Sequence, residues 1–426
     1  MNELERYRHV CPAASTFSKD IRCWAGDNPD FHPQFIVDAT DARVWGNDHR
    51  AYLDWVCALG AIILGYGNWS WNKAMIEAHT AGGSFSLPHI MELEVAEKLV
   101  NVLGTHVPSW SPDDLQVRFL KTGSECTEAA VRLARAVTGR NLILRCSDSY
   151  LGWGDAFIAT TPPGYGIPPY YAWDTVLFKY GQDPNTFLND DKIGELNHVP
   201  ITALGKPACI ILEQGLTDPP EGWYGALRVW CDKSSALLIL DETASGFRYG
   251  LGGAAERFNI MPDLACYGKA LGNGAAIAAL VGRREYISWF GRIDPVFVSG
   301  TFFGELFGLY GASAVLDTFN EDSVKHLQTI GGALKNGLTR VLLGTGNEVV
   351  GHDVRHIIKW ASDEWHAYLV KGLADNGILM NRPNYSTLAH NLDDVKYTVD
   401  VVVELVSRGL PEIPKSHLPR VLFQNR

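Results

Sequence analysis

Two charged side chains stand at the ends of apolar runs where they could do chemistry. Ala236 to Leu240 is uniformly apolar and ends in Asp241 and Glu242; further on, Leu264 to Tyr267 leads through Gly268 to Lys269. A lysine amine captures aldehydes, and a carboxylate nearby can hold a heterocyclic nitrogen protonated. In open α/β sheets ligands gather at the carboxyl ends of strands, so an acid leaving one strand and a lysine leaving another can share one crevice. Each residue alone also has a plainer reading: Asp241 as a helix cap, Lys269 as a solvated loop residue.

A third segment adds an anion seat. Leu120-Lys121-Thr122-Gly123-Ser124-Glu125 joins a strand-like run to a helix-like one. A helix start offers unpaired N–H groups and a favourable dipole to a phosphate, and Gly123 permits close approach. Its plainer reading is an N-cap by Ser124 with no ligand. An amine, an acid and a phosphate seat together suit pyridoxal 5'-phosphate (PLP), with Lys269 forming a Schiff base and Asp241 keeping the ring electron-poor.

The elements that must position these residues alternate through the middle of the chain. Strands are expected at Leu115 to Leu120, Leu142 to Arg145, Thr175 to Phe178, Ala208 to Leu212, Ala236 to Leu240, Leu264 to Tyr267 and Ala276 to Val281. Most are continuous apolar runs, as strands buried on both faces should be. Helices are expected over Glu125 to Val137, Tyr224 to Ser234, Leu306 to Phe319 and Asp394 to Val406. The pattern predicts an α/β fold with a mostly parallel sheet flanked by helices. The two ends lack the alternation. They predict a second, smaller domain built from 1–69 and 312–426 around a large domain at 70–311.

Asp241-Glu242-Thr243-x-x-Gly246-Phe247-Arg248, Met261-Pro262-Asp263 and Gly268-Lys269-Ala270-Leu271-Gly272 together resemble the cofactor-lysine region of class III aminotransferases. Among these the chain resembles the glutamate-1-semialdehyde aminomutases. The likeness runs from Tyr52-Leu53-Asp54 through Gly123-Ser124-Glu125 to Leu388-Ala389-His390. It implies a fold-type I PLP enzyme that moves an amino group between a donor and a small aldehyde or ketone. It further implies that Gly123 and Ser124 hold the phosphate, Tyr150 stacks on the pyridine ring, Thr243 covers the other face and Glu213 lies close by. Thr301 would reach the phosphate of a neighbouring subunit, which implies a homodimer with shared active sites.

The chain departs from that pattern in places that touch the substrate more than the cofactor. Gln214 follows Glu213 where proline is common, Thr243 replaces valine, and Glu305-Leu306 replaces Asn-Pro. Leu59 stands where the aminomutases carry tryptophan, and Leu151-Gly152-Trp153 lacks their histidines. Thr16-Phe17-Ser18-Lys19 resembles members associated with sugar metabolism, which points to a sugar-derived or other hydroxylated carbonyl substrate. An aminomutase, decarboxylase or other lyase on the same cofactor remains an alternative, as does a catalytically silent binding protein.

Composition narrows the remaining classes. Hydrophobic residues make up 46% and charged residues 20% of the 426 residues, as in folded globular proteins. A net charge of −11 disfavours nucleic acid. Val56 to Leu64 is too short to span a bilayer, and Met1 to Val10 carries charges in place of an apolar signal core. The eight cysteines form no Cys-x-x-Cys pair and read as reduced thiols, so a cytoplasmic location is expected. His352 and His356 would share one face of a helix, but no third ligand is in sight, so no metal site is expected. Neither a dinucleotide fingerprint nor a Gly-x-Ser-x-Gly elbow occurs.

Overall fold

The computed structural model describes residues 3–160, 166–187 and 205–420. The chain forms two compact units, one of Trp69–Val324 and one of Met1–Asn68 with Lys325–Gln424.

The first unit is built on a seven-stranded sheet: β1 (Leu115–Leu120), β2 (Ile143–Cys146), β3 (Thr175–Phe178), β4 (Cys209–Glu213), β5 (Leu237–Asp241), β6 (Leu264–Tyr267) and β7 (Ala278–Arg283). Their spatial order is β1-β7-β6-β5-β4-β2-β3. β7 runs antiparallel to both neighbours, while the pairs from β6 through to β3 are parallel. Two reversals restore direction, so β1 also ends on the edge where β2, β4, β5 and β6 end. β5 and β6 are buried at every position, which is why they read as unbroken apolar runs.

Helix α1 (Gly123–Thr138) covers the sheet with Cys126, Ala129, Ala130, Leu133 and Ala134, the three- and four-residue spacing of one helical face. It packs with Ile143, Ile211, Ile239, Leu264 and Leu280 in one core. Gly139 closes it in the left-handed region, at φ 66°. α2 (Trp223–Ser234) and α3 (Leu306–Thr318) complete the elements that matter below.

The expected boundary at 311–312 cuts through α3. The helix continues to Thr318, and its second half is held in this unit by Lys98, whose Nζ donates to Ser313 Oγ at 2.9 Å and pairs with Asp317 at 2.6 Å. The division falls instead at 324–325.

In the other unit, strands Ile36–Thr40, Arg43–Gly46 and Ala51–Asp54 form an antiparallel set that Ile378–Leu379 extends in parallel. Trp55, Leu334, Leu338, Leu369, Leu373 and Leu405 share its core. His352 and His356 are not on a helix. They lie on a hairpin of Glu348–His352 and Arg355–Lys359, in which Gly351 faces His356. Gly351 takes φ 130°, which breaks helical continuation. No cluster of three or more metal-ligating side chains occurs among the described residues. No helix among them is long and apolar enough to cross a membrane.

Candidate active site

The residues singled out in the sequence follow strands that end on one edge. Gly123 and Ser124 come after β1, Tyr150 after β2, Glu213 closes β4, Asp241 closes β5 and Lys269 follows β6. Within the sheet, Glu213 is the register partner of Asp241, and Asp241 that of Cys266. Lys269 is half-buried at φ 43°, a left-handed conformation that a residue other than glycine adopts at some cost and that clusters at functional sites.

Asp241 is buried and accepts the Thr243 N–H at 2.9 Å through Oδ1. Burial above all pushes its pKa up, to about 6. The Glu213 carboxylate adds to the rise, while hydrogen bonding from Thr243 and the charge of Lys269 oppose it. No cationic side chain forms an ion pair with it among the described residues. A buried carboxylate in that state has no ion-paired counter-charge, and a protonated pyridine nitrogen would supply one. The donor set therefore fits PLP. Its sequence neighbour Glu242 does a different job. It is fully buried and accepts the N–H groups of Ala254 at 3.0 Å and Ala255 at 2.8 Å, with Ser245 as a third donor. Burial raises its pKa to about 7.

The turn expected to seat a phosphate is shaped differently from the plain N-cap reading. The N-cap is Thr122, not Ser124: Thr122 Oγ1 accepts the Glu125 N–H at 3.2 Å while Glu125 Oε2 accepts the Thr122 N–H at 2.8 Å. Gly123 and Ser124 are then the first two helical residues, whose N–H groups have no partner within the helix. A Cβ on Gly123 would lie 2.8 Å from Thr243 Cγ2, and one on Gly268 would lie 3.4 Å from the same methyl. Thr243 thus links the Gly123 turn to the lysine turn. On the other side, a Cβ on Gly152 would lie 2.6 Å from Ser124 Oγ, which accepts the Trp153 N–H at 3.3 Å.

Tyr150 and Glu213 are tied together directly. Glu213 Oε1 accepts the Tyr150 N–H at 3.1 Å, and the Glu213 N–H donates to Ser149 Oγ at 3.0 Å. The Tyr150 side chain is exposed. Thr301 also lies exposed, on a turn with no hydrogen bond to the other candidate residues.

Sequence reasoning missed two features at this edge. Lys121 Nζ donates to Ala276 O at 2.7 Å and pairs with the largely buried Glu305. Glu305 also caps α3, accepting from Gly308 N at 2.7 Å and Phe307 N at 2.8 Å. An acid just ahead of an apolar helix was the available signal. The other is a buried chain in which Tyr180 OH lies 2.6 Å from Tyr224 OH and Tyr224 OH donates to Gln214. Nothing in the spacing announces it.

Residues 25–378 match the model of the class-III aminotransferases. The glutamate-1-semialdehyde 2,1-aminomutase of Desulforamulus reducens is 29% identical over 404 residues, covering 87% of this chain and 89% of the relative. That of Thermomicrobium roseum is 32% identical over 324 residues, covering 74% and 72%. The FumI protein of a Sphingopyxis species, solved in its PLP internal aldimine form, superposes with a TM-score of 0.81 at 24% identity over 95% of this chain and 94% of that one. An omega-transaminase from Sphaerobacter thermophilus gives 0.80 at 22% identity over 95% and 97%. At such identities the two structures speak for the fold alone. A sheet edge that suits PLP and a family match over most of the chain agree: the chain belongs to the class-III aminotransferases, PLP-dependent fold-type I enzymes that move an amino group from a small-molecule donor to a carbonyl acceptor.

Proposed function

We propose that Lys269 Nζ makes the covalent link to PLP, that Asp241 faces the pyridine nitrogen, and that the Gly123 and Ser124 amides take the phosphate. The observation that carries this reading is Asp241, a buried carboxylate with no ion pair, ending the strand beside the one that leads into Lys269. When bound, the cofactor supplies an electron sink for the bond broken at the amine-bearing carbon of the substrate. Lys269 Nζ would be placed to take the proton from that carbon and to give it back. Asp241 keeps the ring nitrogen protonated throughout. Tyr150 and Thr243 would hold the ring between them, and Glu213 fixes the loop that carries Tyr150.

In this reading the enzyme is a homodimer in the cytoplasm. The exposed turn at Thr301 could meet the phosphate of a second copy, and eight cysteines without a disulfide suit a reducing compartment. The test is a donor and acceptor screen read by absorbance. A donor added without acceptor leaves the cofactor in its amine form once its amino group has been transferred, and acceptor added afterwards restores the starting spectrum; a starting spectrum unchanged by every donor would overturn the reading. A second reading, amino exchange within one molecule, is favoured by the name that the sequence relatives share. It expects turnover of a single substrate with no acceptor added.

A further inference from the structure

Gln214 stands where the resemblance leads one to expect proline, and it brings a polar side chain that proline lacks. It is buried and follows Glu213, the last paired residue of β4. Tyr224, at the start of α2, donates its hydroxyl proton to Gln214 Oε1. A phenol has one proton to give, so in the 2.6 Å contact between Tyr180 and Tyr224 the donor is Tyr180. The proton order is therefore fixed, from Tyr180 to Tyr224 to Gln214. Burial pushes the Tyr180 phenol up to about 12 and the Tyr224 phenol up as well, so both stay protonated near neutral pH.

Both ends of this series reach the loop that carries Tyr150. At one end the Tyr180 N–H donates to Asp148 Oδ2 at 2.9 Å. At the other, Gln214 continues from Glu213, whose N–H donates to Ser149 Oγ at 3.0 Å and whose Oε1 accepts the Tyr150 N–H at 3.1 Å. Asp148, Ser149 and Tyr150 are thus each tied, directly or through Glu213, to a residue of the series. α2 grips the Tyr180 turn a second time. Trp223 Nε1 donates to Gln182 O at 2.6 Å, and Gln182 Oε1 accepts the Lys179 N–H at 2.9 Å. A Cβ on Gly215 would lie 2.7 Å from Tyr180 Cε1, so the tyrosine ring packs directly on the backbone that leaves Gln214. Breaking one of these bonds strands a polar group away from water, which is what makes a buried network hold its shape. We propose that Tyr180, Tyr224 and Gln214 are positioning residues, which together set the Tyr150 loop and the Glu213 carboxylate at the sheet edge before a cofactor arrives. Their service to amino transfer rests on the reading in which Tyr150 helps to hold the ring.

The experiment follows amide hydrogen exchange by mass spectrometry in the cofactor-free protein, and then turnover and cofactor affinity in the holoenzyme. Tyr224→Phe keeps the ring and removes the donor; Gln214→Met keeps the length and removes the acceptor. In each variant the Tyr150 and Glu213 amides exchange at least about tenfold faster than in wild type, while residues 238–240 of β5 keep their rates. Tyr180→Phe, which leaves Tyr224 bonded to Gln214, shows a smaller rise. Should one of the first two variants fail to fold, the other decides. Unchanged rates at Tyr150 and Glu213 overturn the proposal. So does a rise shared equally by β5, because the three side chains would then serve global stability alone. In the holoenzyme, kcat falls at least about fivefold with KM for the donor within about twofold, and cofactor binds more weakly. Faster exchange with turnover and cofactor affinity unchanged would support the positioning set and remove Tyr150 from the ring, so the two readings fail separately.

Discussion

Glu213 and Asp241 face each other on the last rung of neighbouring parallel strands, so two carboxylates end side by side where β4 and β5 stop. With burial, this neighbour leaves Asp241 at about 6, above its ordinary 3.8. A carboxyl group raised in this way contributes stability that is full below about pH 4 and is lost as pH climbs through about 6. A bound ring cation cancels that loss. The stability gap between cofactor-loaded and cofactor-free protein, followed by thermal midpoints, therefore widens from pH 4 to pH 7, by on the order of 3 kcal/mol. In Asp241→Asn at saturating cofactor the widening disappears; a wild-type gap that stays flat with pH would contradict it.

Lys269→Ala removes the only residue assigned to bond the cofactor and move the proton. Turnover should fall by about a thousandfold or more, and the visible band of lysine-bound cofactor should vanish while phosphate-anchored cofactor remains. Absorbance after gel filtration, with a coupled rate assay, checks both. A variant with full turnover excludes the assignment.

Gly123→Ala tests the contact between the phosphate turn and Thr243. The backbone of Gly123 tolerates a side chain, so the expected loss of roughly 1–3 kcal/mol comes from the methyl against Thr243, 2.8 Å away. Cofactor affinity should fall with it. Thr243→Ala in the same chain should restore most of both, as measured by thermal midpoints and cofactor titration. Failure of the second substitution to rescue would place the strain elsewhere.

Glu305→Ala leaves Lys121 without its acid and α3 without its cap. Side-chain exposures of 14% for Lys121 and 11% for Glu305 make this a largely buried pair, so the expected cost is about 3 kcal/mol. Adding Lys121→Met should cost less than the sum of the two single changes, since the stranded ammonium is then gone. Additive losses across that cycle would show that the pair is not coupled.

Much of the sheet was legible because strands buried on both faces are apolar runs with few alternatives. β1, β3 and β6 fall on the expected residues, and the other strands shift by one or two positions. Helix ends were harder. The start of α1 moved back to Gly123 because Thr122 and Glu125 cap each other, whereas Ser124 had looked the better cap. The domain boundary was misplaced because α3 is apolar on nearly every side and gives no periodic signal of where its packing changes. His352 and His356 show how a spacing of four fits a helix face and also a tight hairpin. The contact of Thr243 with two glycines from distant turns, and the chain through Gln214, arise from tertiary packing that no local pattern encodes.

In the seven-stranded sheet β1 is an edge strand, and its sheet neighbour β7 comes from much later in the chain. The turn at Gly123 and Ser124 is thus among the first parts of the site to leave the ribosome, yet it cannot be held against the lysine turn until Ala278 to Arg283 has been synthesised and paired. Early chain segments must wait with an unsealed strand, which exposes them to mispairing. A nascent chain stopped short of that strand would carry the amine and the acid but no place to anchor a phosphate.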